Sequence, residues 1–486
     1  MTDSQRQDGG GARLARDSLR AVLIGTALAV LGAWPLAAVG GCRPGPARFG
    51  ERPRAVLARQ DAPLVVWHKD DKTGRTVWAC PWDVTGDGAA EIAVLTGPRC
   101  RGAPPPKGRY HLQLWSGSGV SVGSADLGLG GCVVGPAAVD SLGGALWVLV
   151  TGRTGDDTLW RVDRQLRGSP VVRLGSRYPS AGGIALHGRG CIVKAGPDKW
   201  VHVASDGAVA SVLSAAPSRK RTGESSGRVA VGRLSAGDAV RAVLGVGDRA
   251  WLVPLDGGPA ALLPGVHDGP VLLADLDGDG DAEAIVFAPR SRPWDSGLAA
   301  VDLGPPVRWL WPRPAQLFTY PLAAGDLDGD GAAELVGVDI RSGRLVAVNG
   351  DGRALWEVRS REWHMTAGSI GGEEGILVMD ADGDARQDVV VAARDASSWE
   401  PVLLAFAGGT GQLLWQLPLR TGAGLQGIWA CDVGGGRSPE IVVVASDVLE
   451  VVRLKPASTF VAPDWPMFGH DPQRTRCLPI RAPNEP

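Results

Sequence analysis

Apolar and polar positions alternate along the chain in short runs broken by Gly, Asp and Pro. No stretch keeps the 3.6-residue stripe of an amphipathic helix. Runs of this kind, bounded by turn residues, predict short β-strands. One phrase recurs: WDVTGDGAAEIAVL from Trp82, ADLDGDGDAEAIVF from Ala274, GDLDGDGAAELVGV from Gly325, MDADGDARQDVVVA from Met379, and a worn CDVGGGRSPEIVVV from Cys431. Its first aspartates are Asp83, Asp275, Asp326, Asp380 and Asp432, and the last three gaps are 51, 54 and 52 residues. The gap of 192 residues between Asp83 and Asp275 leaves room for three eroded units. The candidates are AAVDSLGGALWVLV near Asp140, GIALHGRGCIVKAG near His187 and AVGRLSAGDAVRAVLGV near Leu234, the second barely a match.

A second phrase lies between copies of the first: LLAFAGGTGQLLWQL (403–417), LVAVNGDGRALWEV (345–358) and a looser LAAVDLGPPVRWLW (298–311). Each is an apolar run, a Gly-containing turn and a second run with Trp, which is a hairpin signature. Each period therefore supplies about four strands, and four-stranded units repeated radially make a β-propeller. The expected fold is all-β: an eight-bladed propeller, with seven blades as the alternative, of four-stranded antiparallel blades. The segment LVVWHKDDKTGRTVW (64–78) has the Trp hairpin without an acidic loop before it, while the last unit shows one clear strand after its loop. The two are complementary, so 64–78 is expected to supply the outer strands of the final blade and close the ring.

The acidic phrase resembles the FG-GAP/VCBS repeat of integrin-type propellers and of many bacterial surface proteins. The Trp phrase resembles the hairpin of pyrroloquinoline-quinone-type propellers. Ala405, Thr410, Gly411 and Trp415 match its frame, although Ala407 stands where an Asp is usual. The tail DWPMFGHDPQRT (464–475) is similar to a phrase of bacterial propellers of that second group.

Asp275, Asp277, Asp279 and Glu283 stand at loop positions 1, 3, 5 and 9. Alternate residues of a tight turn point inward, and Gly278 and Gly280 permit the positive φ such a turn needs. Hard oxygen donors in a flexible loop suit Ca²⁺, which takes about 6–8 of them. The resemblance adds the carbonyl of Asp281 at position 7. Asp326, Asp328, Asp330 and Glu334 form a second complete set. Asp380, Asp382, Asp384 and Asp388 form a third, with Ala385 in place of a Gly as a source of strain. Thr85 replaces the middle carboxylate among Asp83, Asp87 and Glu91, which predicts weaker binding; Asp432 and Glu440 alone predict no ion. An EF-hand is excluded, because position 12 is Val286, Gly337 or Val391 rather than Glu.

Composition sharpens the picture. Gly (70) and Pro (36) make up 106 of 486 residues, about 22%, which disfavours a helical fold. A net charge of -2 gives no pull toward nucleic acid, and none is expected as a partner. Residues 1–20 carry Arg6, Arg13, Arg16 and Arg20, and residues 21–41 carry no charge. That is the layout of an export signal, and Val39-Gly40-Gly41-Cys42 resembles the lipobox of bacterial lipoproteins, with Cys42 lipidated. A signal anchor is one alternative, because about 20 apolar residues span a bilayer, and plain secretion is the other. The expected organisation is a signal at 1–41, a Pro/Arg-rich tether at 42–62, a propeller over 63–475 and a tail at 476–486. All three readings place residues from about 43 onward outside the cytoplasm, and the expected ones tether the propeller to a membrane. Six further cysteines (Cys80, Cys100, Cys132, Cys191, Cys431, Cys477) leave disulfides and buried thiols equally open.

No HExxH, P-loop or CxxC occurs, and the GESSG string at 223–227 lacks the apolar strand that a nucleophile elbow needs. Most of the 18 Trp fall at hairpin positions, whereas Trp294, Trp363 and Trp399 lie outside that frame and are candidates for a binding face. The expectation is a non-catalytic, calcium-binding propeller that takes a protein or glycan partner. The alternatives are a propeller enzyme (a quinone-dependent dehydrogenase or polysaccharide lyase) and an outer-membrane assembly lipoprotein. The adjacent Cys-Cys pair usual in such quinone enzymes is absent.

Overall fold

The second strand of each acidic-loop hairpin is apolar at nearly every position, because both of its faces are covered. Glu334–Asp339 and Glu440–Ala445 are buried throughout. The outermost strands alternate instead: Leu413–Pro418 and Ser121–Leu127 expose one face and half-bury the other. Burial thus falls from the inside of each sheet outward, as expected for sheets that splay apart from a common axis.

The computed structural model describes strands and turns between Leu64 and Leu454. Residues 1–63 and 455–486, and loop stretches including 98–108, 175–183, 215–228, 288–297, 310–318, 366–374 and 434–439, lie outside the described residues. The chain divides into two units, Met1–Leu57 and Ala58–Pro486, and the first is wholly outside them.

The second unit is an eight-bladed β-propeller of antiparallel blades. The innermost strands of blades 1 to 8 are Arg75–Trp82, Ala138–Asp140, Ile184–His187, Val229–Arg233, His267–Ala274, Thr319–Gly325, Ile376–Met379 and Leu425–Cys431. Each is followed by a strand that pairs with it, and two more strands lie toward the rim. Short extra strands, Gly131–Val133 and Trp363–His364, join blades 2 and 7. All three eroded units are real blades: those near Asp140, His187 and Leu234 form the inner hairpins of blades 2, 3 and 4.

Closure is visible in the packing. Apolar clusters bridge blades 1 and 2 through Trp82 and Leu146, 2 and 3 through Trp147 and Ile184, and 3 and 4 through Trp200 and Val229. Others bridge 4 and 5, then 5, 6 and 7 together, then 7 and 8. The last joins 8 to 1 through Trp429 and Ile92. No blade interface lacks such a cluster, which is the physical requirement for units too thin to bury their own faces.

The expected closing segment needs correction. Leu64–Asp70 pairs with Val448–Arg453 and forms the outermost strand of blade 8. Arg75–Trp82, which takes in residues 75–78 of that segment, is instead the innermost strand of blade 1. The last unit contributes three strands of its own, Leu425–Cys431, Glu440–Ala445 and Val448–Arg453, so one borrowed strand completes it.

Candidate functional site

The acidic loops connect the first and second strands of blades 1, 5, 6, 7 and 8, all at one end of the ring. Those of blades 1, 5, 6 and 7 are folded by their own carboxylates. The first aspartate accepts two backbone amides: Asp275 from Gly278 (2.8 Å) and Gly280 (3.0 Å), and Asp380 from Gly383 (2.7 Å) and Ala385 (3.0 Å). Asp83 does the same with Gly86 (2.6 Å) and Gly88 (3.2 Å). The last carboxylate, buried beneath the turn, accepts the amide at position 2. Leu276 donates to Glu283 (2.7 Å), Leu327 to Glu334 (2.8 Å) and Ala381 to Asp388 (3.0 Å).

These turns bring oxygens together. Asp380, Asp382, Asp384 and Asp388 each place a carboxylate oxygen within 4.8 Å of the others. Asp275, Asp277 and Asp279 do so in blade 5, and Asp326, Asp328 and Glu334 in blade 6. Glu283 and Asp330 are in the same loops but outside those gatherings. Asp281 stands at the end of the blade-5 turn. Among the described residues the blade-1 set Asp83, Asp87 and Glu91 does not gather in this way; there Thr85 Oγ1 donates to Glu91 (3.2 Å) and occupies it. In blade 8 Glu440 pairs with Arg453 (3.1 Å), a guanidinium that the sequence reading did not connect to the loop.

The electrostatics follow from crowding. Burial, with repulsion from Asp277, Asp275 and Asp279, pushes Glu283 up to about 8. Burial and the neighbouring aspartates push Glu334 up to about 7, and the same causes push Asp388 up to about 7. Asp275 and Asp277 are also raised, mainly by burial.

The loops are also tied to one another. The amide just before the terminal carboxylate donates to the carbonyl at the start of the preceding blade's loop: Ala90 to Asp432 (2.9 Å), Ala282 to Leu234 (2.5 Å) and Ala333 to Asp275 (2.8 Å). The Ala repeated at that position in three copies was the available signal, and sequence reading passed over it.

Cys42, the GESSG string and Trp294 lie outside the described residues. Cys191 and Cys431 are free thiols, both raised by burial, and Cys80 is buried. Among the described residues no helix is long and apolar enough to cross a membrane.

A comparison with protein-family models gives no match, and neither does one with curated protein sequences. Solved structures do match. The exotype rhamnogalacturonan lyase YesX aligns with a TM-score of 0.51 at 14% identity, over 80% of this chain and 72% of that one. The quinohemoprotein alcohol dehydrogenase of Comamonas testosteroni gives 0.49 at 12% identity, over 83% and 78%. BamB of Moraxella catarrhalis gives 0.44 at 15%, over 79% and 98%. The likeness to the lyase is one of fold alone, and the two lower scores add nothing to it.

Proposed function

We propose that the protein is a non-catalytic binding propeller of FG-GAP/VCBS type, held on the extracytoplasmic side of a membrane and stabilised by Ca²⁺ in the loops of blades 5, 6 and 7. The observation that supports calcium is the gathering of carboxylate oxygens within 4.8 Å in three successive loops. The donor set fits a hard cation, because every side-chain donor is a carboxylate oxygen and Ca²⁺ takes such ligands in flexible geometry. The ligands are Asp275, Asp277, Asp279, Glu283 and the carbonyl of Asp281; Asp326, Asp328, Asp330 and Glu334; and Asp380, Asp382, Asp384 and Asp388. The blade-1 set, Asp83, Asp87 and Glu91, is the weakest. The ion's part is charge neutralisation: it offsets the repulsion that raises the buried carboxyls and so locks the inner hairpin. The chain's part is to fix the turn, through the paired amides on Asp275 and Asp380 and the Gly329 amide on Asp326. Membrane attachment runs through lipidated Cys42 or an uncleaved 21–41 segment, and the partner is a protein or a glycan.

Thermal melting of the full chain in calcium and in excess chelator tests the ion. A higher melting temperature in calcium is expected, with the increment reduced by Asp380→Ala; identical curves refute the reading. Cys42→Ser moving the chain from the membrane fraction to the soluble fraction checks the anchor.

A further inference from the structure

The end of blade 7 opposite its acidic loop carries an exposed aromatic platform. The acidic loop precedes the strand Asp388–Asp395, and the turn 396–400 follows it, so the two lie at opposite ends of that strand. Trp399 in this turn is 56% exposed. Its ring stacks on His364 with centroids 4.9 Å apart and an interplanar angle of 18°. His364 is held there by the short strand Trp363–His364, which pairs Trp363 with Asp395 and His364 with Arg394.

The turn is over-determined for a surface loop. Asp395 Oδ1 accepts the amides of Ser397 and Ser398, both at 2.8 Å, and the Ser397 hydroxyl at 2.5 Å. The Trp399 amide donates to the Asp395 carbonyl (2.9 Å), and Arg394 Nη1 donates to the Trp399 carbonyl (2.8 Å). These bonds hold Trp399 at φ 61°, a region that a bulky residue enters only at a cost. A costly backbone that presents an indole to water is better explained by what the indole does than by packing.

The rim decides the ligand. Ser397, Ser398, Glu400, Arg361 and Glu362 around the turn are exposed and polar. The other large exposed apolar side chains among the described residues belong to outer strands or, as Val120, to the turn leading into one; none is at this end of blade 7. A protein hot spot clusters several apolar anchors. One flat indole, backed on one face by imidazole and set among segments bearing exposed hydroxyl, carboxylate and guanidinium side chains, suits a flat ligand with apolar C–H faces and polar edges. A pyranose with all its substituents equatorial has that shape. We infer that the His364–Trp399 stack is a sugar-binding subsite for β-linked, equatorially substituted pyranosides. This deepens the reading of a binding propeller and rests on it, while using none of the calcium loops.

The test is calorimetric titration of the full chain with cellohexaose, and with maltohexaose for comparison. Saturable binding of cellohexaose is expected, with maltohexaose clearly weaker because its linkage is axial. Trp399→Gly is expected to weaken binding about tenfold or more without lowering the melting temperature, since glycine adopts φ 61° freely. His364→Ala, which leaves the turn intact, is expected to weaken it less. No binding of cellohexaose, equal binding of maltohexaose, or full binding by Trp399→Gly overturns the inference. Calcium-dependent melting reads the function proposed above separately: a chain that keeps its calcium increment yet ignores cellohexaose loses the subsite alone.

Discussion

Ala385 sits at φ 69°, where its counterparts Gly88, Gly280 and Gly331 sit at 90°, 88° and 95°. The turn imposes this conformation, because the amide at that position must reach the first aspartate, and in blade 7 it still does so at 3.0 Å. An L-residue there costs roughly 1–2 kcal/mol, partly offset by the lower chain entropy of alanine when unfolded. Ala385→Gly is therefore expected to raise stability by up to about 1 kcal/mol, read from the midpoint of urea unfolding. The raised carboxyls set a pH dependence. Glu283 at about 8 and Glu334 and Asp388 at about 7 hold protons that an unfolded chain releases near its ordinary carboxyl values of about 4. In chelator, stability should therefore be greatest below about pH 4 as far as these groups decide it, and fall as pH rises through about 7–8. Calcium should flatten that fall, which unfolding midpoints at about pH 5 and about pH 8, with and without the ion, will show.

The Trp hairpins couple neighbouring blades. Trp356, on the outer strand of blade 6, donates its indole N–H to the Gly408 carbonyl of the blade-7 turn (2.5 Å) and lies flat against Gly411. Gly411 has φ 67°, and a Cβ there would stand 2.8 Å from the Trp356 ring. Gly411→Ala should thus cost roughly 1–3 kcal/mol through backbone strain and displaced packing, measurable by chemical unfolding. Such hairpins were legible because their period of two and their glycines are local properties. Other features were not. In the last unit only Ser446 and Asp447 separate Ala445 from Val448, and neither is Gly or Pro, so two strands read as one long apolar run. The His364–Trp399 stack was half visible. Trp399 stands outside the repeat frame, but its partner comes from the connection between two blades, and no local pattern fixes where that connection lies.

The ring as a whole was readable from spacing. A period near fifty residues across the gap between Asp83 and Asp275 demands three more units, and the hairpin near His187 exists although its sequence hardly repeats the phrase. Closure constrains the fold where local similarity has worn away, because an unfilled position would leave two sheet faces uncovered. The seam is the exception to this redundancy: blade 8 depends on Leu64–Asp70 for its outer strand. A chain starting at residue 63 should melt like the longest form. One starting at residue 71 should melt lower and associate with itself through the bared edge of Val448–Arg453, as size-exclusion chromatography will report. That same strand is the first among the described residues, directly downstream of the Pro/Arg-rich segment. A pull on the chain upstream of it would therefore load this single rim ribbon first, and reach the innermost strand of blade 1, Arg75–Trp82, only after the ribbon had peeled away. Under such a load the seam would open before any other pairing on that path, and the bared edge of Val448–Arg453 would become adhesive.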